Sequence, residues 1–400
     1  MAQQWRDTVS LSEEQRLVRD SIREICGDFG AEYWREKDRS EEYPAEFVEQ
    51  LGEHGWLGLL IPEEYGGAGM ETPEAVIMME EIAATGGFSA AQAIHGGIYN
   101  SVPLVNYGTD ELKEELLPKV ARGEEAIQAF GLTEPNAGSN APAMETYAER
   151  DGDEYIVNGQ KIWISRVDAS DYILLMARTK PLEAVEKRTR GISMFLVDLD
   201  DAYDQGALEI NQIPKTVSGC VHSYEMWFSE LSVPADRLIG VEGEGFYQML
   251  DGLNEERLVI AAECIGLGIA ALERGVEYAS EREVFGSPIG ANQSIQHPLA
   301  DAYAQVIAAK QLVYHAADQL ETVDREQAGA YANTAKYLAA EACFAAADAA
   351  VQTHGGFGVA REYDVERYFR EARLTRIVPI SQQLALNFLG ERVLGLPRSY

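Results

Sequence analysis

Apolar residues at helical intervals dominate positions 10 to about 125. Ser12 followed by Glu13, Glu14 and Gln15 has the make-up of a helix N-cap and an acidic first turn. Behind it, Leu17, Val18, Ile22, Ile25 and Cys26 form one stripe on a 3.6-residue period. Residues 44–55 predict another helix, followed by the apolar run 56–62 and a turn at Tyr65, Gly66 and Gly67. Further helices are predicted at about 73–85 and 110–122. His95, beside Gly96 and Gly97, reads as a packed or capping residue, and no catalytic cluster is expected in this part.

From about 126 to 240 the period changes to two. Tyr155, Ile156 and Val157 lead to Asn158-Gly159, a hairpin-turn pair, and residues 161–165 follow at hairpin spacing. Residues 172–177 and 192–197 are apolar and β-rich; Met226, Trp227 and Phe228 precede a strand end at Val233-Pro234. Short strands with turns between them predict a small barrel or sandwich. From about 243 to 395 helices return. Residues 266–272 and 339–351 are mostly apolar or Ala, as in helices buried on most faces of a bundle. The expected class is α+β in three domains: helical over 1–125, a β-barrel or sandwich over 126–240, and a helical bundle over 241–400.

Composition agrees with that division. A chain of 400 residues is too long for one ordinary core, and 46% hydrophobic residues are ample for packed ones. Lys plus Arg number 33 against 66 Asp plus Glu, a formal net charge of −33. That balance argues against nucleic acid or an anionic membrane as a partner. It suits an acidic, solvated surface that stays soluble in high salt, so a halophilic source is expected. Cys26, Cys220, Cys264 and Cys343 match no metal or redox spacing and read as buried free thiols in a reducing compartment. The N-terminal M-A-Q-Q-W-R-D lacks a basic region followed by an apolar run, and no apolar stretch reaches the ~18 residues that span a bilayer. A cytoplasmic location is the expectation.

Candidate chemistry centres on residues 130–140, F-G-L-T-E-P-N-A-G-S-N. Phe130 and Leu132 suit a strand end, while Pro135, Asn136 and Gly138 force a turn flanked by the hydroxyls of Thr133 and Ser139. Two readings stand: a polar loop joining strands, or a cradle whose N–H groups and hydroxyls bind a flat, phosphate-bearing ring. The stretch resembles the flavin-binding signature of the acyl-CoA dehydrogenases, and other matches follow in the family's order over almost the whole chain. They include G-L-L-I-P-E-E-Y-G-G at 58–67, Arg282 with Phe285, Gly286, Ile289 and Gln293, and Gln352-Thr353-His354-Gly355-Gly356. The resemblance implies the family's helical, β and four-helix-bundle arrangement with FAD as cofactor. It implies flavin contacts from Phe130, Leu132, Thr133, Gly138, Ser139, Trp163 and Ser165. Arg282 would meet the pyrophosphate and Phe285 the adenosine half, with Gln293 beside them. Gln352, Gly355 and Gly356 would reach the flavin of a neighbouring subunit, which implies a dimer at least and the family's dimer of dimers. Ser381 and Gln383 complete the flavin set.

The implied reaction oxidises an acyl-CoA to its trans-2-enoyl-CoA, with electrons passed to an electron-transfer flavoprotein. It requires a carboxylate on the side of the acyl chain opposite the flavin. The family's commonest base position, in a loop before the last helix, falls here on Pro379, which has neither an acid nor an N–H. The departure also removes a donor to the thioester oxygen, leaving the ribityl hydroxyl and the N–H of Ile380 to serve. A minority of the family, the isovaleryl-CoA and long-chain enzymes, carries its base immediately before a helical Arg. Glu256, before Arg257, holds that place, and helical spacing sets it on a stripe with Ile260, Cys264 and Leu267. Glu255 has similar apolar company at Val259 and Ala262, and a solvated helix face over 254–257 is the plain alternative. By the same match, Asn254, Arg257 and Ser139 would meet the substrate, and a helix-borne base goes with branched or long acyl groups. Two other functions fit the same fold: a flavin monooxygenase or oxidase, and a partner subunit that binds flavin or CoA without turnover.

Overall fold

The computed structural model describes residues 5–398; residues 1–4 of the segment read for a leader lie outside the described residues. Helix α1 (Glu13–Gly27) begins where its cap requires. The Ser12 hydroxyl accepts from the Gln15 N–H and the Gln15 side chain accepts from the Ser12 N–H, each at 3.1 Å, a reciprocal capping box. Val18, Ile22, Ile25 and Cys26 are buried, but Leu17 is 68% exposed. The stripe is therefore narrower than the spacing implied, because only one side of α1 meets the body of the protein.

The chain continues through α2 (Ala31–Ser40), α3 (Ala45–Glu53), α4 (Thr72–Gly86), α5 (Phe88–Tyr99), α6 (Ser101–Tyr107) and α7 (Asp110–Ala121). Helices α2, α5 and α6 escape the periodicity reading. Almost every residue of α5 is buried, so it shows no polar face against which a stripe could be seen.

Strands follow: β1 (Ala129–Gly131), β2 (Tyr147–Asp151), β3 (Glu154–Ser165), β4 (Tyr172–Arg178) and β5 (Ile192–Asp198). After the short α8 (Leu199–Asp204) come β6 (Leu208–Gln212), β7 (Ser223–Pro234) and β8 (Leu238–Ile239). They form one sheet ordered β6-β7-β3-β2-β4-β5-β8, with β1 parallel to β4. Alternation along β4 divides two cores. Ile173, Leu175 and Ala177 pack with Phe195, Met226 and Phe228. Tyr172, Leu174 and Met176 pack with Leu112, Leu116 and Leu117 of α7.

Asn158-Gly159 is not the expected hairpin turn. The β2–β3 turn lies at Gly152 and Asp153, with Asp151 paired to Glu154. Asn158-Gly159 instead runs inside β3 at an irregularity in its pairing with β7. There the Asn158 side chain donates to Glu230 at 2.7 Å, while Gly159, at φ +156°, passes so close to Thr146 that a Cβ would sit 2.6 Å from its Cα. The pair serves a bulge and a close crossing.

The last third contains α9 (Gly245–Asp251), α10 (Leu253–Glu281), a two-stranded hairpin of β9 (Glu283–Val284) and β10 (Ser287–Pro288), α11 (Gln293–Gln319), α12 (Arg325–His354), α13 (Val365–Thr375) and α14 (Gln382–Phe388). Alanines 339, 340, 346, 347 and 350 of α12 are fully buried, which lets neighbouring helices approach closely. Helix α4 lies against α10, and a Cβ at Gly266 would overlap the backbone of Glu80. One continuous apolar core thus joins α1, α4 and α5 to α10–α13. All four cysteines are buried and unpaired, and among the described residues no helix is long and apolar enough to cross a membrane.

Candidate functional site

Residues 130–140 leave the sheet at the end of β1 and turn tightly, with Glu134 and Ala137 exchanging backbone hydrogen bonds at 3.0 and 3.3 Å. A buried ion pair pins the turn. Lys161 Nζ donates to Glu134 Oε1 at 2.8 Å and to the Leu132 carbonyl at 3.1 Å, and the Glu134 carboxylate also accepts from the N–H groups of Glu145 and Thr146. Burial depresses the Lys161 ammonium to about 8 despite its partner. Burial opposes ionisation of Glu134 as well, yet Lys161 and the loop N–H groups hold its carboxyl below the usual range. Thr133 is half-buried and Ser139 exposed, and the space a Gly138 Cβ would take is open.

Beside this turn, β3 bulges a second time between Lys161 and Ile164. The Ile162 N–H donates to the Thr133 carbonyl at 2.9 Å, and Trp163, at φ +62°, turns outward and is 56% exposed. A large aromatic ring displayed to solvent on left-handed backbone costs free energy that packing does not recover, a sign of a ligand surface. Ser165 lies beyond it, its hydroxyl 3.1 Å from that of Ser223.

A second group of candidates lies at the start of helix α10. Leu253, its first residue, packs in the same apolar cluster as Phe130 and Leu132. The next turn carries Asn254, Glu255, Glu256 and Arg257. Arg257 Nη1 donates to Asn254 Oδ1 at 3.0 Å, while Arg257 Nε is buried without a hydrogen-bond partner among the described residues. Burial also pulls that guanidinium below its usual value. The Glu256 side chain is 16% exposed, and Ile260, Cys264 and Leu267 on its stripe are buried.

His95 of α5 meets this part of α10. It is packed, as expected, but against carboxylates. His95 Nδ1 donates to Glu263 Oε1 at 2.8 Å, and Nε2 lies 3.8 Å from Glu256 Oε1. Burial disfavours the charged ring, but Glu263 and then Glu256 outweigh it and hold the imidazolium up to about 9. Glu263, fully buried and seven residues after Glu256 on the same helix face, was the available signal; only tertiary packing could bring His95 to it.

The remaining flavin candidates lie on other elements. Arg282, Phe285 and Gln293 are exposed around the β9–β10 hairpin, Phe285 wholly so and at φ +56°. Gln352, Gly355 and Gly356 are exposed where α12 ends. Ser381 caps α14, its hydroxyl accepting from the Leu384 N–H, and Gln383 is exposed in the helix's first turn. The loop with Pro379 is held from beneath by buried Lys336, which donates to the carbonyls of Thr375 and Ile380 at 2.9 and 2.8 Å. That lysine is a structural anchor the sequence reading missed.

The chain matches the N-terminal, middle and C-terminal domains of acyl-CoA dehydrogenases over residues 12–124, 129–229 and 243–394. It is 37% identical to the acyl-CoA dehydrogenase FadE12 of Mycobacterium tuberculosis over 97% of this chain and 98% of that one. It is 33% identical to the caffeyl-CoA reductase-Etf complex subunit CarC of Acetobacterium woodii, over 93% and 96% of the two chains. The structure of glutaryl-coenzyme A dehydrogenase with glutaryl-CoA is similar at a TM-score of 0.90 and 31% identity, covering 98% of each chain.

Proposed function

The chain belongs to the acyl-CoA dehydrogenase family, and on that premise we propose that it converts an acyl-CoA thioester to the trans-2-enoyl-CoA with Glu256 as base. The observation that supports the reading is that Leu253, at the start of the helix bearing Asn254–Arg257, packs against the same apolar cluster as Phe130 and Leu132. FAD fits the residues present. The outward Trp163 offers a ring face, Thr133 and Ser139 offer hydroxyls at an open turn, and Arg282 offers an exposed guanidinium for a pyrophosphate. Phe130, Leu132, Gly138 and Ser165 would line the same group, and Phe285, Gln293, Gln352, Gly355, Gly356, Ser381 and Gln383 its outer parts. When bound, FAD supplies the acceptor for the β-hydride.

The chain's own residues do the rest. Glu256 takes the α-proton as the Cα–Cβ double bond forms. Arg257 brings an unmatched buried N–H, suited to a polar group of the CoA ester, and Asn254 fixes its guanidinium. With no N–H at Pro379, the Ile380 N–H is the adjacent donor for the thioester oxygen. The similarity to a subunit named for an Etf complex supports an electron-transfer flavoprotein as electron acceptor. Exposure of Gln352, Gly355 and Gly356 where α12 ends supports assembly with a second copy that completes the flavin site. The acidic charge, and the lack of a spanning helix among the described residues, fit a cytoplasmic location.

Glu256→Gln tests the reading. The variant is expected to stay yellow and flavin-loaded yet fail to bleach with any of a panel of acyl-CoAs under argon; bleaching at the wild-type rate refutes Glu256 as base. Pro379 specifically favours a second reading, a partner subunit without turnover. Wild-type protein that binds acyl-CoA but never bleaches would establish it.

A further inference from the structure

Resting on the reading of Glu256 as base, we propose that His95 is a positioning residue that keeps the Glu256 carboxylate ionised and aimed while substrate covers it, with Glu263 holding the imidazolium in place. Glu256 and Glu263 share one face of α10, and both point toward α5. Two carboxylates brought together in an apolar interior raise one another's proton affinity, and an acyl chain laid over Glu256 would add to that by excluding water. A base protonated at rest cannot take the α-proton. The imidazolium stands between the two, touching Glu263 at 2.8 Å and facing Glu256 at 3.8 Å, a gap that a small side-chain rotation closes.

Among the described residues His95 is the cation ion-paired to Glu256, while Arg166 and Arg257 act on it by longer-range Coulomb attraction. On α5, Gln92 donates to the other Glu263 oxygen at 2.6 Å, and the Tyr99 ring stacks on the imidazole while its hydroxyl donates to the Gly252 carbonyl. From the β region, buried Arg166 packs over Gly96 and donates from Nε to the Gln128 carbonyl and from Nη1 to the Gln92 carbonyl, so its charge reaches the two carboxylates without a hydrogen bond from either nitrogen. On α10, Arg257 is tied to Asn254, and Glu255 adds a further negative charge next to Glu256. Glu263 and His95 cancel as a unit. Proton transfer from the α-carbon to Glu256 then removes the one charge that the unit was stabilising, and His95 neither gains nor loses a proton.

His95→Gln keeps an N–H donor and removes the charge. It is expected to fold, hold FAD and bind acyl-CoA, while the acid limb of its kcat–pH profile moves up by about one unit, a roughly tenfold loss at low pH that shrinks as pH rises. A readout without turnover runs in parallel. Because Glu263 holds the ring's proton up to about 9 against an ordinary 6.5, that pairing stabilises the fold fully below 6.5 and is lost as pH rises to 9. Wild type should therefore lose more Tm than His95→Gln over that interval. His95→Asn, shorter but likewise uncharged, should shift the acid limb the same way and substitutes if His95→Gln does not fold. An unmoved acid limb, or loss of rate equal at every pH, overturns the inference. If Glu256→Gln still bleaches, the base assignment fails instead; if it is dead while the His95→Gln limb is unmoved, only the role of His95 fails.

Discussion

Removing the Glu134 carboxylate tests whether the candidate flavin turn is held by charge in a dry interior. Lys161 is fully buried and Glu134 6% exposed, and the ammonium's two hydrogen bonds both go to the turn, at Glu134 and the Leu132 carbonyl. Glu134→Gln keeps the shape but leaves a buried ammonium without its counter-charge. Breaking such a pair from one side costs about 3–5 kcal/mol, a fall in Tm of about 4–6 °C for a chain of this length unfolding as one unit. Replacing both partners, as Glu134→Gln with Lys161→Met, removes the stranded charge and should recover most of that loss. The pH dependence has a definite sign. With its folded pKa below the ordinary 4.5, Glu134 contributes fully above 4.5, and the contribution is lost as pH falls through the lower folded value. The advantage of wild type over Glu134→Gln should thus vanish in acid. Thermal unfolding followed by tryptophan and flavin fluorescence reads both effects, and the single variant should release FAD at lower temperature than wild type. A single variant melting within 2 °C of wild type (the threshold is roughly 1.7 kcal/mol), or a double variant no better than the single, refutes the reasoning.

Trp163→Ala should separate binding from folding. Because the ring is 56% exposed, the Tm of flavin-free protein should move little, while FAD binding by fluorescence titration weakens about tenfold; equal effects on both would show a packing role. Gly159→Ala places a methyl within 2.5–2.7 Å of three Thr146 atoms and should cost about 1–3 kcal/mol in chemical denaturation, whereas the same change at open Gly138 should cost far less. Similar losses at the two sites would dismiss the close crossing as the reason for Gly159.

Local chemistry was legible wherever one segment decides its own state. The Ser12 cap, the strands at 172–177 and 192–197, the buried alanines of α12 and the ordered motifs that mark the family all follow from residues near each other in the chain. The Asn158-Gly159 pair shows where that ends: its turn propensity is real, but Thr146 crossing it and the β7 ladder beside it impose an extended bulge. Leu17 belongs to the periodic stripe yet faces water, because periodicity records spacing and not how wide a face the neighbouring helices cover. Glu256 could be singled out next to Arg257, but nothing within α10 distinguishes it from Glu255. His95 does, across 161 positions of chain, since desolvation and Coulomb attraction act over distances in space and only the packing of α5 on α10 sets those distances.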